Sequence, residues 1–395
     1  MKPNLRQLFF EHVGQTSDFP MGLEVERAEG VWLLGPNGKK WIDLISGVSV
    51  SNVGHNNPAV VEAVCSQARD YLHLMVYGEV IQSPQVRYAA RIAELLPPRL
   101  QSVYFVNSGS EAVEGALKLA KRYTGRTELV SFKNAYHGST HGSLSVMGGE
   151  EYRNSYRPLL PDVRQLRFNR PEDLEQITAR TACVIVEPVQ GEGGIVPLPG
   201  DYLRGVEALC RKHDILFICD EVQAGLCRTG TFWAFQQHGL TPDAISMAKS
   251  LANGLPMGAM LATDEMTKGF EAGSHATTFG GGALASGVAA KCVEIMLRDK
   301  LADRAAELGK HVMDRVRAIQ DKLPGTVREV RGLGLMIGIE LAVDAAAVWR
   351  ELIARGFICN LSHGVTLRLL PALTIDKADL DAFIDTLEDI LRTAK

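Results

Sequence analysis

Short apolar runs and amphipathic stretches alternate through the middle of this chain. The apolar-rich runs have the length of buried strands and occur at 102–107, 128–132, 182–187, 215–219, 244–248 and 257–262. Between them, apolar residues spaced three or four positions apart predict helices, as over 84–96 and 112–123. Alternating strands and helices are typical of an α/β fold, in which helices cover both faces of a mostly parallel sheet.

The two ends of the chain have a different pattern. Two short apolar stretches flank Pro36-Asn37-Gly38 and predict a hairpin over 30–44. Beyond residue 290, two amphipathic helices are expected to flank shorter strands, including 333–341 and 365–370. We therefore expect two domains: a large α/β domain over 55–290, and a smaller α+β domain built from 1–54 and 291–395.

An acid and a lysine follow two successive apolar runs. The run 215–219 ends in Asp220 and Glu221, and the run 244–248 ends in Lys249. Their separation allows one crossover between neighbouring parallel strands, so both side chains can face one crevice. A pyridoxal phosphate (PLP) enzyme needs such a pair, a lysine for the Schiff base and an acid for the pyridinium nitrogen. On these residues alone, a surface ion pair explains the pattern equally well.

A hydroxyl-rich turn joins a predicted strand to a predicted helix at Ser108-Gly109-Ser110. Free backbone N–H groups at a helix N-terminus bind anions, so this turn is a candidate phosphate site. Ordinary helix capping by the two serines explains the same residues. A second turn of this kind, Thr277–Gly282, contains three consecutive glycines, which indicate a close backbone approach.

Composition narrows the classes of protein. The formal net charge of −4 over 395 residues provides no basic surface for nucleic acid or for an anionic membrane. The sequence has no GxxxxGK[ST] motif and no GxGxxG motif after a predicted strand, so nothing in it indicates nucleotide binding. The lack of the second motif argues against a nicotinamide dehydrogenase. The seven cysteines are scattered without metal-ligand spacing, and the first residues do not resemble a signal peptide. The expected location is the cytoplasm.

Five motifs, in this order along the chain, resemble those of the class III PLP-dependent aminotransferases. This is the fold type I group that contains acetylornithine, ornithine and 4-aminobutyrate aminotransferases. The motifs are 107–112 (NSGSEA), 135–138 (AYHG), 187–192 (EPVQGE), 220–225 (DEVQAG) and 228–230 (RTG). The resemblance, which runs from Gly30 to beyond Pro371, implies transfer of an amino group to a 2-oxo acid such as 2-oxoglutarate or pyruvate. The expected donor is the ω-amine of an amino acid or another amine.

The resemblance also implies a role for each matching residue. Lys249 would carry the Schiff base and move the proton, and Asp220 would hold the ring nitrogen protonated. Tyr136 and Val222 would pack on opposite faces of the ring, and Gln223 would bond its hydroxyl. The cofactor-binding residues implied are Ser108, Gly109, Ser110, Tyr136, His137, Glu187, Asp220, Val222, Gln223, Lys249 and Thr278. Family members are homodimers with shared active sites, so Thr278 would reach the phosphate in the partner's site.

Two further matches concern the substrate. Arg368 matches the arginine that binds a substrate carboxylate, for which its planar fork is suited. Glu192 matches the acid that pairs with this arginine when the uncharged or amine-bearing end of a substrate must enter the pocket. A switchable pair would admit both kinds of substrate, whereas a fixed structural salt bridge would not.

Departures from the family pattern point to a specialised amine. Ser139 stands where acetylornithine and 4-aminobutyrate enzymes usually have an arginine that grips a second carboxylate. Ser49, Val50 and Tyr77 are candidates for the pocket walls. A PLP-dependent decarboxylase, an aminomutase of the same family and a non-catalytic relative are the alternatives to an aminotransferase.

Overall fold

The computed structural model describes residues 4–17, 20–76, 78–271 and 273–394. The helices are α1 (Leu5–His12), α2 (Ser46–Ser49, a single left-handed turn), α3 (Pro58–Asp70), α4 (Ser83–Ala93), α5 (Gly109–Thr124), α6 (His141–Ser145), α7 (Glu150–Arg153), α8 (Gly200–Lys212), α9 (Asp264–Thr267), α10 (Ala283–Arg298), α11 (Leu301–Lys322), α12 (Ala345–Ala354) and α13 (Lys377–Thr393). The strands are β1 (Arg27–Glu29), β2 (Trp32–Leu34), β3 (Lys40–Asp43), β4 (Ser102–Val106), β5 (Glu128–Phe132), β6 (Val163–Leu166), β7 (Thr181–Val186), β8 (Val189–Gln190), β9 (Val196–Pro197), β10 (Leu216–Asp220), β11 (Ala244–Met247), β12 (Gly258–Ala262), β13 (Val327–Leu333), β14 (Met336–Leu341), β15 (Phe357–Ile358), β16 (Asn360–Ser362) and β17 (Thr366–Leu369).

Seven strands form the central sheet, in the order β4-β12-β11-β10-β7-β5-β6. Its neighbouring strands are parallel except at β12, which runs antiparallel to both β11 and β4. The predicted α/β fold with a mostly parallel seven-stranded sheet is therefore confirmed. The six apolar-rich runs are all strands of this sheet. β6 has no counterpart among them, because at the sheet edge only its last residue, Leu166, is buried, and its two central residues, Arg164 and Gln165, are polar.

Both faces of the central sheet are covered. Along β10, Leu216 and Ile218 belong to the cluster that packs against α5, whereas Phe217 and Cys219 belong to the larger cluster on the opposite face. Successive strand residues point to opposite faces, so a strand covered on both sides must be apolar throughout. This requirement explains the unbroken apolar run before Asp220.

The ends of the chain form smaller sheets. The predicted hairpin is present as β2 and β3, and β3 pairs in parallel with the C-terminal strand β15. A second four-stranded sheet has the order β13-β14-β17-β16. The strand expected over 333–341 is present as β14 but begins later, at Met336, because a turn with Gly334 at φ 54 separates it from Leu333, the last residue of β13.

The helix count beyond residue 290 also differs from the prediction. Three helices, α11, α12 and α13, lie wholly in that part of the chain instead of two. The additional helix, α12, begins with three alanines and has little polar face, which weakens the amphipathic signal. The division into two domains stays a prediction. No helix within the described ranges is both long and apolar enough to cross a membrane.

Candidate active site

A cavity of about 340 Å³ lies at the carboxyl ends of the central strands. Residues that follow β4, β5, β7, β10 and β11 line it, which is where ligands bind in open α/β sheets. The predicted site residues that the structure brings together here are Ser108, Gly109, Ser110, Tyr136, His137, Glu187, Glu192, Asp220, Val222, Gln223 and Lys249.

Asp220 and His137 form a buried pair at the base of the cavity. The Oδ2 atom of Asp220 lies 2.7 Å from Nδ1 of His137, and its Oδ1 atom accepts a hydrogen bond from the backbone N–H of Val222 at 3.0 Å. Burial lowers the pKa of His137, but the hydrogen bond with Asp220 and its charge outweigh this effect, so the pKa is raised. The pairing keeps Asp220 fixed in one orientation.

Glu187 braces the loops on either side of the cavity. Its Oε2 atom accepts a hydrogen bond from the N–H of Tyr136 at 3.0 Å, and its Oε1 atom accepts one from Gly191 at 3.1 Å. Burial raises the pKa of this carboxyl to about 7, against the opposing charge of His137. Glu187 therefore fixes the backbone that presents Tyr136.

Lys249 follows β11 in a left-handed conformation, with φ 52. This conformation is costly for a side chain with a Cβ and is found most often at functional sites. Burial lowers the pKa of the Lys249 amine, and the nearby carboxylates of Glu192 and Asp220 oppose the shift only in part. A lowered pKa increases the fraction of neutral amine, which is the nucleophilic form.

The turn before α5 provides an anion-binding end to the cavity. The hydroxyl of Ser108 caps the helix by accepting a hydrogen bond from the N–H of Glu111 at 3.2 Å. The hydroxyl of Ser110 accepts one from the N–H of Ser139 at 3.3 Å. Both hydroxyls can still donate their own protons, so capping and phosphate binding are compatible at these serines.

Glycine at position 109 is required by packing. A Cβ there would lie 2.9 Å from Cγ1 of Val222, which is closer than real Cβ atoms approach. Val222 therefore packs directly on the backbone at the helix N-terminus.

Arg368 does not line the cavity itself but lies behind Glu192. Its Nη1 atom is 2.6 Å from Oε1 of Glu192 and also donates to the carbonyl of Gly191 at 3.3 Å. Burial raises the pKa of Glu192, but the charge of Arg368 and its hydrogen bond outweigh this effect, so the pKa is lowered. Both groups are therefore ionised and paired.

The remaining candidates are distributed differently. Thr278 is exposed and does not line this cavity. Val50 lines it, and the hydroxyl of Ser49 donates to the carbonyl of Gln223 at 3.4 Å. Tyr77 lies outside the described residues.

Sequence reasoning missed the segment 254–257, which follows the lysine turn and lines the cavity. A signal for it was available in Asn253 and Gly254, a pair of residues that adopt left-handed conformations readily and do so here, with φ 45 and 122.

The polar groups that line the cavity match those needed to bind PLP. Two buried polar atoms of lining residues, Oε1 of Gln223 and Nε2 of His137, have no hydrogen-bond partner in the part of the chain that the structure describes. Buried polar atoms are normally satisfied, so unpaired ones in a cavity indicate a polar ligand. A helix N-terminus for a phosphate, a carboxylate for a ring nitrogen and an amine for an aldehyde complete the set. These features define a PLP-binding site of fold type I.

Comparison with known proteins gives independent evidence for the class of this protein. Residues 13–391 match the model of the family "Aminotransferase class-III". An acetylornithine aminotransferase of Methanocaldococcus jannaschii is 38% identical over 375 residues, which cover 93% of each chain. Ornithine aminotransferase 1 of Staphylococcus aureus is 36% identical over 384 residues, which cover 94% of this chain and 95% of that one.

A solved structure shows the same architecture. The crystal structure of ornithine aminotransferase from Toxoplasma gondii superimposes with a TM-score of 0.92 at 28% identity, covering 99% of this chain and 96% of that one. The chain belongs to the class III aminotransferase family. It is a PLP-dependent enzyme that transfers amino groups to 2-oxo acids.

Proposed function

We propose that this enzyme takes its amino group from the ω-amine of an amino acid or from another amine, with Lys249 as the covalent attachment point of PLP. The observation that carries the assignment of Lys249 is its position. Asp220 is the last residue of β10, and Lys249 lies two residues beyond the neighbouring parallel strand β11, so the carboxylate and the amine line one cavity. Burial lowers the pKa of the amine, as this role requires.

The bound cofactor supplies an aldehyde that captures amines and a ring that accepts electrons. The Nζ atom of Lys249, once free, would move a proton to and from the carbon that bears the substrate amine. Asp220, held by His137, would keep a proton on the ring nitrogen. Gln223 would bond the ring hydroxyl through its amide oxygen, Oε1, because its Nε2 group already donates to Glu192.

The other lining residues would hold the cofactor in place. Ser108, Gly109 and Ser110 would bind the phosphate through the N-terminus of α5. Tyr136 would stack on one face of the ring, while Val222 would pack on the other. Tyr136 is itself supported by the ring of Tyr152, whose centroid lies 5.9 Å away at an interplanar angle of 87°.

Arg368 and Glu192 would select substrates. With the pair closed, as it is here, the cavity offers no free guanidinium and suits a donor whose reacting carbon bears no carboxylate. With Glu192 turned away, Arg368 would take the carboxylate of a 2-oxo acid such as 2-oxoglutarate or pyruvate. The close contact and the lowered pKa of Glu192 support the closed state.

Ser139 bears on the identity of the donor. The relatives named acetylornithine and ornithine aminotransferases make these two amines the first to test. Serine at this position offers no charge to a second substrate carboxylate, so other amines, such as putrescine, belong in the same panel.

A single-turnover absorbance experiment tests the assignment. PLP-loaded wild type should have a visible band from the bound cofactor that Lys249→Ala abolishes or alters. A competent amine should bleach this band, and a 2-oxo acid should restore it. Release of carbon dioxide would instead indicate a decarboxylase, and conversion without an oxo acid would indicate an aminomutase. Absence of any band after PLP is supplied would contradict the proposal.

We further propose that the enzyme is a homodimer in which Thr278 binds the phosphate in the partner's site. Exposed apolar side chains support this arrangement: Phe279 follows Thr278, and Leu72, Met75 and Ile81 lie in the segment before α4.

The domain division and the location are also proposals. Pairing of β3 with β15 supports a small domain built from both termini. All seven cysteines are free thiols, which supports a cytoplasmic location.

A further inference from the structure

The turn between β16 and β17 contacts the loop that carries Glu192. Within this turn, Nε2 of His363 lies 2.8 Å from the carbonyl oxygen of Glu192. A carbonyl oxygen only accepts, so the imidazole donates this hydrogen bond through an Nε2–H group. His363 has a left-handed backbone, with φ 50, and Gly364 follows with φ 70. A residue with a Cβ pays a conformational cost in this backbone conformation. The turn, and not the preference of His363 itself, therefore sets the position of the imidazole.

The backbone around Glu192 is fixed on both sides. The Nε atom of Arg331 donates to the carbonyls of Gly194 and Ile195, at 3.0 and 3.1 Å. Arg368 donates to the carbonyl of Gly191, the residue before Glu192. With the bond from His363, the carbonyls at 191, 192, 194 and 195 are all anchored by cationic or imidazole side chains. These bonds fix the backbone of the loop, from which the side chain of Glu192 reaches Arg368.

We propose that His363 is a positioning residue that sets the selectivity of the enzyme between amine donors and 2-oxo acids. It does so by holding the backbone of Glu192 where the carboxylate meets Arg368. This inference rests on the proposed Glu192–Arg368 switch and adds to it the residue that fixes its closed position. His363 also borders the small cavity between Tyr136 and Glu192, at the outer side of the site.

The direction of the effect follows from the closed pair. A 2-oxo acid must displace Glu192 from Arg368 before its carboxylate can bind. An amine without a carboxylate at its reacting carbon binds while Glu192 and Arg368 stay paired. Loss of the His363 bond loosens Glu192 and weakens the closed state. The KM for the 2-oxo acid should then fall and the KM for the amine should rise. A general structural defect would instead impair both half-reactions together.

The experiment compares His363→Ala with His363→Gln in the full-length, PLP-loaded enzyme, where the glutamine amide can still donate. Each half-reaction is followed by single-turnover absorbance, with the best donor of the amine panel and with 2-oxoglutarate or pyruvate. His363→Ala should shift the ratio of the two KM values roughly 3- to 10-fold towards the oxo acid, the size expected for one hydrogen bond. His363→Gln should stay within about twofold of wild type, and His311→Ala, which removes the histidine bond to Asp381, should leave the ratio unchanged.

A double-mutant cycle separates the explanations. In a Glu192→Ala background, His363→Ala should no longer change the ratio, since there is no carboxylate left to position. An unchanged ratio in the single alanine variant, a parallel loss in both half-reactions, or a persisting effect without Glu192 would overturn the inference while the aminotransferase assignment stands. Wild type that shows no half-reaction with any amine would overturn the proposed function and this inference with it.

Discussion

Glu192 and Arg368 form an ion pair between a partly exposed carboxylate and a buried guanidinium, with 2.6 Å between Oε1 and Nη1. Among the described residues, Glu192 is the carboxylate that pairs with this buried arginine, and leaving the charge of Arg368 unpaired would cost several kcal/mol. The amide of Gln223 is 3.4 Å from the same Oε1 atom, so the pair adjoins the cofactor cavity. This geometry supports the proposal that the pair selects substrates by their charge.

Replacement of Glu192 should therefore change the preference of the enzyme rather than its chemistry. In Glu192→Ala the guanidinium of Arg368 is always available, so kcat/KM should move roughly 10- to 100-fold in favour of carboxylate-bearing donors such as glutamate over simple amines. The measurement is the single-turnover loss of the visible cofactor band with each donor. Glu192→Gln is the second variant, because glutamine keeps the shape of the side chain and removes its charge. An unchanged preference in both variants would show that the salt bridge is fixed and structural.

The packing at Gly109 gives a second prediction. Gly109→Ala should force Val222 away from the helix N-terminus and weaken PLP binding by roughly tenfold, as expected for overpacking at a binding site. Cofactor affinity is measured by titrating apoenzyme with PLP and following the visible band.

Gly115→Ala is the matched control in the same helix. A Cβ at Gly115 would meet Sδ of Met260 at 3.6 Å, an ordinary contact distance. This variant should bind PLP as wild type does, since alanine also favours a helix. Equal loss of affinity in the two variants would contradict a specific role for Gly109.

Much of the fold was readable from the sequence because burial on both faces forces strands to be apolar throughout. The run that became β12 illustrates this, since every one of its residues is buried and none has a polar side chain. The edge strand β6 lacks this signal, because only Leu166 is buried and its two central residues are polar. The strand expected over 333–341 starts three residues before β14, because the apolar Leu333 and Leu335 conceal the turn at Gly334.

The site was predictable where its residues directly follow strands. Asp220 and Lys249 stand at the ends of apolar runs, so their meeting follows from the topology alone. His363 offered no such signal, because it lies 171 residues from Glu192 and reaches it only through the packing of the small sheet. Residues 254–257 likewise gain their role from the turn that the chain makes after Lys249.

The proposed dimer predicts an effect of charge on an exposed apolar residue. The side chain of Ile81 is 90% exposed, which is unusual for isoleucine outside an interface. Ile81→Glu should place a charge in the subunit contact, so the protein should sediment as a monomer at micromolar concentration and lose most of its activity. Tyr123→Glu introduces the same charge on α5, at a side chain that is also exposed, and should remain dimeric. A dimeric, active Ile81→Glu enzyme would exclude this stretch from the interface.

Glu221, the residue after β10, should contribute to the dependence of stability on pH. Its carboxylate is buried and accepts hydrogen bonds from the N–H groups of Ala234 and Phe235, both at 2.8 Å. Burial raises its pKa to about 7. The unfolded chain loses this proton near pH 4.5, whereas the folded protein retains it to about pH 7. Between these values the folded state binds more protons, so its stability falls as the pH rises.

Glu221→Gln cannot ionise, so the decline in its unfolding free energy from pH 4.5 to 7 should be smaller by on the order of 3 kcal/mol. Its stability at low pH should be lower than that of wild type, because one amide oxygen replaces the carboxyl group that both N–H donors use. Denaturant unfolding of the apoenzyme at a series of pH values measures both effects. Glu340→Gln provides a control of opposite sign, since hydrogen bonding to Arg331 lowers the pKa of Glu340 and its contribution is lost as the pH falls. If Glu221→Gln and wild type have the same slope across this range, Glu221 is ionised in the folded protein and its two backbone hydrogen bonds outweigh its burial.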